Sequence, residues 1–210
     1  MDLSDYQVGW RWGSVGLSVD LRVYMIEKLK PIKLIAMDVD GVLTDGSIIM
    51  SAEGDIKIYS VMDGLGISLA IAAGVSIVWI TGNISPAIER RAAALRITEL
   101  YQGARYKSVA LRKVAEDRGL ELEEIAFIGD DLNDLPAFEL AGISFAVANA
   151  ADEVKAAADI ITKRSGGKGA VREVIETVLN AQGRWESGVQ AFLNRLREEE
   201  EQRVKVGDVN

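Results

Sequence analysis

The 210-residue sequence contains no cysteine and no histidine. Without cysteine, the sequence excludes thiol catalysis, disulfides, zinc ribbons and iron–sulfur clusters. Without histidine, it also excludes serine–histidine triads, histidine-ligated metals and acid–base chemistry by imidazole. Any nucleophilic or acid–base chemistry must therefore come from carboxylates, lysine, tyrosine or hydroxyl groups.

Basic residues are fewer than acidic residues. The sequence has 24 Lys and Arg and 32 Asp and Glu, which gives a net charge of −8. This balance argues against non-specific binding to nucleic acid. A phosphorylated substrate would need a cation or a local lysine to offset the acidic field. Hydrophobic residues make up 49% of the sequence, which is ordinary for a globular chain of one domain, or two at most, and excludes disorder as its main state.

One stretch without charged residues, 64–88, is long enough to span a bilayer. Gly74 divides this stretch, however, and residues 81–83 form a turn in its second half. A helix, a short strand and a turn describe it better than a membrane span. The N-terminus carries Asp2 and Asp5 where a secretory signal has basic and apolar regions. We therefore expect no membrane association and a cytoplasmic protein.

The chain divides into three predicted segments. In residues 1–24, apolar and polar positions alternate from Val15 to Val23, as in a half-buried strand, and we expect no catalytic role for this segment. Residues 25–183 are predicted to form the main domain. Residues 184–210 carry an amphipathic helix followed by a solvated acidic run.

From Lys33 onward, short apolar runs alternate with helical segments. The runs at 34–37, 76–80 and 125–128 predict strands. Strands that alternate with helices imply a doubly wound parallel sheet of the α/β class, covered by helices on both sides. Residues 47–58 predict a β-hairpin outside this alternation.

Chemically versatile side chains follow four of the predicted strands. They are Asp38 with Asp40, then Thr81, then Lys107, and finally an acidic cluster that begins at Asp130. Taken singly, each has an ordinary explanation, since Asp and Gly favour turns and acidic residues favour helix N-termini. Ligands of such sheets bind beyond the carboxyl ends of the strands, however, so that these side chains are expected to meet.

Carboxylates gathered at one edge of a sheet repel one another unless a divalent cation lies between them. Oxygen ligands without histidine or cysteine indicate Mg²⁺, and a neighbouring hydroxyl and ammonium suit a phosphate. This combination predicts phosphoryl transfer through an aspartyl-phosphate. One carboxylate attacks phosphorus, and a second, two residues later, protonates the leaving oxygen and then activates water.

The sequence resembles the haloacid dehalogenase-like phosphatase superfamily, and within its capless branch the 3-deoxy-D-manno-octulosonate 8-phosphate phosphatase family. The resemblance runs from about Lys33 to Gly183. Its motifs are D-V-D-G-V-L-T-D-G (38–46), M-D-G-L-G-I (62–67), I-T-G (80–82), L-Y-Q-G (100–103), G-D-D-L-N-D (129–134) and G-G-K-G-A-V-R-E (166–173). This set in this order is specific, although no one motif is. It implies a Rossmann-like fold with a hairpin flap and no cap domain.

The resemblance assigns roles to individual positions. Asp38 would be the nucleophile and Asp40 the general acid and base, while Thr81 and Lys107 would hold the phosphoryl group. Mg²⁺ would be bound by the carboxylate of Asp38, the backbone carbonyl of Asp40 and Asp130.

Further positions match acidic and substrate-contacting residues of the family. Asp131 and Asp134 would act near the metal through water. The substrate-contacting positions, in addition to Asp40 and Lys107, are Ser60, Val61, Met62, Asp63, Gly64, Asn83 and Arg91. The substrate implied is a phosphorylated 3-deoxy-2-keto sugar acid, namely 3-deoxy-D-manno-octulosonate 8-phosphate.

Three positions depart from the family pattern. Family members often carry basic residues where this sequence has Met62 and Ser68, and commonly arginine where it has Asn83. Relatives that act on nine-carbon, sialic-type 9-phosphates tend to carry glutamate at the last position, so that Asn83 matches neither group. A nine-carbon 9-phosphate is therefore kept as the alternative substrate.

Two other classes of protein share parts of this pattern. A receiver-type signalling domain uses a phospho-Asp, Mg²⁺, Thr and Lys, but its acidic pair precedes the phosphorylated residue and it needs no acid at the position of Asp40. A non-catalytic oligomerisation module could share the fold, but here all the matched catalytic positions are present.

The spacing between motifs leaves no room for a cap domain, which needs on the order of 50 residues or more. An uncapped site would be open to water, whereas phosphoryl transfer gains from an enclosed site. We therefore expect a homo-oligomer, a tetramer by the resemblance, in which the hairpins of residues 47–58 pack together. A neighbouring subunit would cover each site, with its 166–169 loop or its C-terminal helix contributing.

Overall fold

The computed structural model describes residues 21–52 and 54–206, and within them the chain forms a six-stranded sheet, a separate two-stranded hairpin and eight α-helices. The strands of the sheet are β1 (Leu34–Met37), β4 (Ser76–Ile80), β5 (Leu100–Tyr101), β6 (Ile125–Gly129), β7 (Ile143–Ala146) and β8 (Ile160–Ile161). They lie in the order β5-β4-β1-β6-β7-β8, and every pair is parallel. The predicted α/β fold is thus confirmed.

The remaining elements are the hairpin and the helices. The hairpin pairs β2 (Ile49–Ser51) with β3 (Gly54–Ile56) in antiparallel fashion, inside the predicted range 47–58. The helices are α1 (Leu21–Leu29), α2 (Val61–Ala72), α3 (Pro86–Ala94), α4 (Lys107–Arg118), α5 (Leu135–Phe138), α6 (Asp152–Ala157), α7 (Ala170–Ala181) and α8 (Trp185–Val206).

Strand β1 lies at the centre of the sheet and is buried along its whole length. Its register is set on both sides, because Leu34 lies opposite Ser76 of β4 and opposite Ile125 of β6. A strand covered on both faces needs a continuous apolar run rather than alternation, and the sequence Leu-Ile-Ala-Met supplies one. The polar residues that follow β1 therefore begin at the edge of a rigid core.

The chain winds outward from β1 in two directions. It first passes through α2 to β4 and on to β5, and later returns to β6 on the other side of β1. Because crossovers between parallel strands are right-handed, the two directions place helices on opposite faces. One helix group packs α2 against α7 and α8, and another packs α4 against α5. The point of reversal, beside β1, is where α/β sheets bind ligands.

The alternation predicted near the N-terminus is wrong where the structure describes it, whereas residues 1–20 lie outside the described residues. Leu21 and Val23 belong to helix α1, which runs across the predicted segment boundary after residue 24. Met25 and Leu29, four residues apart, are both buried in the core. Burial at helical spacing therefore decides the local structure here.

Helix α2 contains the first part of the charge-free stretch 64–88. It begins at Val61 because Ser60 caps it, with its hydroxyl oxygen accepting a hydrogen bond from the Asp63 amide. The charge-free stretch 64–88 resolves into parts of α2 and α3 with β4 between them. Among the described helices, none has both the length and the apolar character needed to cross a bilayer.

Candidate active site

The four predicted strand ends meet around β1. Asp38 directly follows β1, Thr81 follows β4, and Asp130 follows β6, while Lys107 is the first residue of α4 after β5. Asp38, Thr81 and Lys107 are all buried. Since β4 and β6 flank β1, the fold brings these side chains to one edge of the sheet, as the sequence predicted.

A buried lysine links two carboxylates at the centre of the site. The Lys107 Nζ atom lies 2.8 Å from Asp38 Oδ2 and 2.5 Å from Asp134 Oδ1. The other Asp38 oxygen accepts a hydrogen bond of 2.7 Å from the backbone amide of Val39. Burial alone would lower the pKa of Lys107, but the two carboxylates outweigh it and raise the pKa. The lysine is therefore held as a cation directly beside the candidate nucleophile.

Asp134 joins Lys107 to the loop that follows β6, and its predicted action near the metal through water stays a prediction. Its Oδ1 atom binds Lys107, while its Oδ2 atom accepts hydrogen bonds from the backbone amides of Asp130 and Asp131 at 2.9 and 3.3 Å. Both of its oxygens are thus engaged within the protein. Asp131, by contrast, is exposed and caps the following 3-10 turn through the Leu132 amide.

The Asp130 carboxylate is suited to binding a metal ion. Its Oδ1 atom is buried and lacks a hydrogen-bond partner among the described residues. Burial, together with the negative charges of Asp38 and Asp134, raises the pKa of Asp130 to about 8. Burial likewise raises the pKa of Asp38 to about 6, although Lys107 opposes the shift. Ionisation of both carboxylates, Asp38 and Asp130, is therefore unfavourable unless a cation binds beside them.

Carboxylate oxygens of Asp38, Asp130 and Asp134 lie within 4.8 Å of one another. Of the three, Asp130 has a buried oxygen without a hydrogen-bond partner among the described residues, and the Asp38 carboxylate lies beside it. All the donors are hard oxygens, and the residues present therefore fit Mg²⁺.

The Asp38 and Asp130 carboxylates are expected to make the metal-free protein less stable as the pH rises from 3.8 to about 8. Because the pKa values of Asp38 and Asp130 are raised in the folded state, that state binds more protons than the unfolded chain in this range. The free energy of unfolding then falls with rising pH. Denaturant titrations of EDTA-treated protein should show a steeper fall for the wild type than for Asp130→Asn. Equal slopes would contradict the shifted pKa of Asp130.

Gly41 allows the loop after β1 to lie against Asp130. Its φ angle is +90°, and a Cβ atom at this position would collide with the Asp130 carboxylate. The same loop is supported from the C-terminal part of the chain, because the Gly167 amide donates a hydrogen bond of 2.9 Å to the carbonyl of Val42. The 166–169 loop, which we expected to act on a neighbouring subunit, thus contacts the nucleophile loop of its own chain.

Asp40 is held at both of its carboxylate oxygens. Lys57 Nζ lies 2.5 Å from Oδ1, and Asn83 Nδ2 donates to Oδ2 at 2.5 Å. Asn83, predicted to contact the substrate, thus contacts Asp40, and Lys57, which follows β3, was not predicted to belong to the site. Sequence spacing does not identify this lysine, because Lys57 reaches Asp40 only once the hairpin has folded against the site.

The predicted substrate-contacting positions divide into two groups. Val61 and Met62 are exposed at the start of α2, beside Ser60. Arg91 reaches this helix start from α3, and its Nη2 atom donates to the carbonyl of Ser60 at 3.4 Å. The same guanidinium leaves no space for a Cβ atom at Gly64. These positions therefore lie together at the start of α2, with Val61 and Met62 exposed and Gly64 buried beneath Arg91.

Asp63 does not belong to this group. It is buried, and its carboxylate accepts hydrogen bonds from the backbone amides of Gly169 at 3.1 Å and of Arg172 at 2.9 Å, at the start of α7. Burial raises its pKa even though these hydrogen bonds oppose the shift. The geometry assigns Asp63 to joining α2 and α7 rather than to contacting substrate.

Replacing Asp63 by alanine is expected to lower the free energy of unfolding by about 1–3 kcal/mol, because two amides at a helix start lose their acceptor. Chemical denaturation measures this change. Asp152→Ala is the matched control, since Asp152 lies in the first turn of α6 with its side chain 99% exposed. A variant of unchanged stability but raised KM would instead support the substrate contact.

Comparison with known proteins gives matches by sequence and by structure. A family model described as haloacid dehalogenase-like hydrolase matches residues 79–175. The 3-deoxy-D-manno-octulosonate 8-phosphate phosphatase KdsC of Escherichia coli (strain K12) is 42% identical over 161 residues, which cover 76% of this chain and 86% of that protein.

Two solved structures carry related names. The 3-deoxy-D-manno-octulosonate 8-phosphate phosphatase of Moraxella catarrhalis, in complex with magnesium ion, phosphate ion and KDO, matches with a TM-score of 0.77 and 42% identity over 80% of this chain and 98% of that chain. The cobalt-bound form of the Haemophilus influenzae phosphatase matches with a TM-score of 0.75 and 43% identity over 79% and 99%.

Proposed function

Since the chain belongs to the 3-deoxy-D-manno-octulosonate 8-phosphate phosphatases of the haloacid dehalogenase-like hydrolases, we propose that it is a Mg²⁺-dependent phosphatase that hydrolyses this sugar-acid phosphate. The observation that carries the proposal is the cluster at the end of β1. There a carboxylate, Asp38, is paired with the buried ammonium of Lys107 and lies beside Asp130, whose buried Oδ1 atom has no hydrogen-bond partner in the described part of the chain. The cytoplasmic location stays a prediction from the sequence.

The site residues divide the chemistry between them. The Asp38 and Asp130 carboxylates and the backbone carbonyl of Asp40 would hold Mg²⁺. When bound, the cation neutralises the nucleophile and the non-bridging phosphate oxygens. The Lys107 ammonium and the Thr81 hydroxyl bind the remaining charge of the phosphoryl group.

The reaction has two steps. An Asp38 oxygen forms a bond to phosphorus while the ester P–O bond breaks, and the acid form of Asp40 gives its proton to the leaving sugar oxygen. Water then attacks the aspartyl-phosphate and gives a proton to Asp40. The P–O bond to Asp38 breaks, inorganic phosphate leaves, and Asp38 is again a carboxylate.

The sugar acid would be bound at the start of α2, by the positions 60–62 and Arg91. The names of the relatives support the eight-carbon substrate over the nine-carbon alternative. Met62 and Asn83 remain departures from the family pattern, and Asn83 donates a hydrogen bond to Asp40.

The proposed function is tested by measuring phosphate release from a panel of sugar-acid phosphates with and without Mg²⁺. We expect the highest kcat/KM for 3-deoxy-D-manno-octulosonate 8-phosphate, and no turnover without the metal. A preference for a nine-carbon 9-phosphate would correct the substrate. No phosphate release from any member of the panel would overturn the function.

We also propose a homotetramer in which the hairpins pack together and a neighbouring subunit covers each site. The support is the apolar exposure of the hairpin, where Met50 is 76% exposed and the neighbouring isoleucines at 48, 49, 56 and 58 are also exposed. An apolar two-stranded ribbon is marginal in water unless it associates.

Met50→Lys is expected to shift the protein to smaller assemblies and to lower its activity at the same dilution. Light scattering measures the assembly, and phosphate release is followed in parallel. Val109→Lys, at an exposed apolar position on α4, serves as the control. A monomeric wild type with full activity would show that each chain closes its own site.

A further inference from the structure

Lys57 is a buried lysine that the reaction as described above does not use. It lies one residue after β3, and its side chain is only 1% exposed. Its ammonium group lies between two carboxylates, 2.5 Å from Asp40 Oδ1 and 3.3 Å from Asp55 Oδ2. Burying a lysine is costly unless its charge is paired, and here both partners are within direct contact.

The contacts of Lys57 continue into the body of the protein. The other Asp55 oxygen, Oδ1, accepts a hydrogen bond of 2.7 Å from the hydroxyl of Ser85. Ser85 is buried and caps α3, where its hydroxyl oxygen accepts a hydrogen bond from the Ala87 amide. The chain of contacts from Asp40 through Lys57 and Asp55 thus ends on a fixed helix start.

The two oxygens of Asp40 have different surroundings. Oδ1 faces the buried Lys57, whereas Oδ2 faces Asn83, which is exposed. Lys57 therefore anchors Oδ1 from the buried side, whereas the donor to Oδ2 is an exposed side chain on the side that is open to solvent.

We propose that Lys57 is a positioning residue that aims Asp40 Oδ2 at the leaving oxygen of the substrate. This inference rests on the proposed function, because it assigns Lys57 to the proton transfer of the first step. The proton on Oδ2 of the acid form of Asp40 passes to the sugar oxygen as the P–O bond breaks. Lys57 neither gives nor takes a proton, and it fixes the carboxyl group through Oδ1.

The test compares two substrates that differ in their need for an acid. The leaving group of the sugar-acid phosphate is an alkoxide, which must be protonated. The leaving group of p-nitrophenyl phosphate is a stabilised phenolate, which needs no acid. We measure kcat/KM, which reports the steps up to departure of the leaving group. Lys57→Met is expected to lower kcat/KM roughly 10–100-fold for the sugar-acid phosphate, which is part of the acid's contribution, and less than about threefold for the aryl phosphate.

Three further variants sharpen the test. Lys57→Arg keeps a cation and should recover part of the loss, and Lys113→Met, on the exposed face of α4, should leave both substrates unaffected. In an Asp40→Asn background, Lys57→Met should cause little further loss on the sugar-acid phosphate, because both changes remove the same step. Should Lys57→Met not fold, Asp55→Asn removes the next contact in the chain and must show the same selectivity for the sugar-acid phosphate.

Equal losses of kcat/KM on the two substrates would overturn the inference, and so would losses that add to those of Asp40→Asn. Lys57 would then stabilise the hairpin or contribute to substrate binding. Wild-type protein measured in parallel separates this outcome from failure of the function itself. If the wild type releases phosphate from neither substrate, the proposed function falls, and the inference falls with it.

Discussion

Asp38→Asn is expected to lower kcat for the sugar-acid phosphate by a factor on the order of 10³ or more. The amide cannot form the bond to phosphorus that makes the aspartyl-phosphate. The side chain keeps its size, and its one amide oxygen can still accept a hydrogen bond from Val39 or from Lys107, which contact different oxygens of Asp38 in the wild type. Phosphate release at saturating substrate and Mg²⁺ measures the loss.

Two controls accompany this variant. Asp45→Asn, at an exposed position of the same loop, should retain wild-type activity. Mass spectrometry of acid-quenched enzyme should show a phosphorylated species in the wild type and not in Asp38→Asn. If the variant kept more than a few per cent of wild-type activity while folded, the covalent mechanism would be wrong.

Removal of the metal is expected to have an effect of similar size. EDTA should abolish phosphate release, and Mg²⁺ should restore it, whereas Ca²⁺ should restore little because it prefers a larger and looser coordination shell. Asp130→Asn should bind Mg²⁺ about 100-fold more weakly or worse, since the buried Oδ1 atom of Asp130 lacks another partner among the described residues.

Thermal unfolding provides a readout of the metal site that does not depend on turnover. Mg²⁺ should raise the Tm of the wild type, since it binds the folded state and relieves repulsion among the carboxylates. It should raise the Tm of Asp130→Asn much less, while Asp131→Asn, at the exposed neighbouring position, should respond like the wild type. Full activity in metal-free buffer, or an equal rise in Tm for all three proteins, would refute the site.

Much of the fold could be predicted from the sequence, because several elements carry strong local signals. The continuous apolar runs at 34–37 and 76–80 predicted β1 and β4, and their bounds match. The start of helix α1 was predicted as part of a strand, because apolar and polar residues alternate up to Val23. The burial of Met25 and Leu29 in the core favours a helix instead, and this burial is known only from the packed structure. Tertiary burial overrides local pattern at such positions.

The site was predictable only in part for a related reason. Strand ends in a parallel sheet converge by topology, so the meeting of Asp38, Lys107 and Asp130 follows from the order of elements. The roles of Asp63 and Lys57 depend instead on which distant backbone or carboxylate each side chain reaches. Asp63 contacts the start of α7, and Lys57 contacts Asp40 across the hairpin. Sequence spacing carries no information on these contacts.

The hydrogen bond between the Gly167 amide and the carbonyl of Val42 has a consequence for biosynthesis. The nucleophile loop emerges from the ribosome early, whereas the segment that supports it is among the last parts of the domain to be made. Domains fold as units, and contacts between residues far apart in sequence form late. The nascent chain therefore carries Asp38 for most of its synthesis without a working site, and catalytic activity begins only when the C-terminal part of the domain has been released.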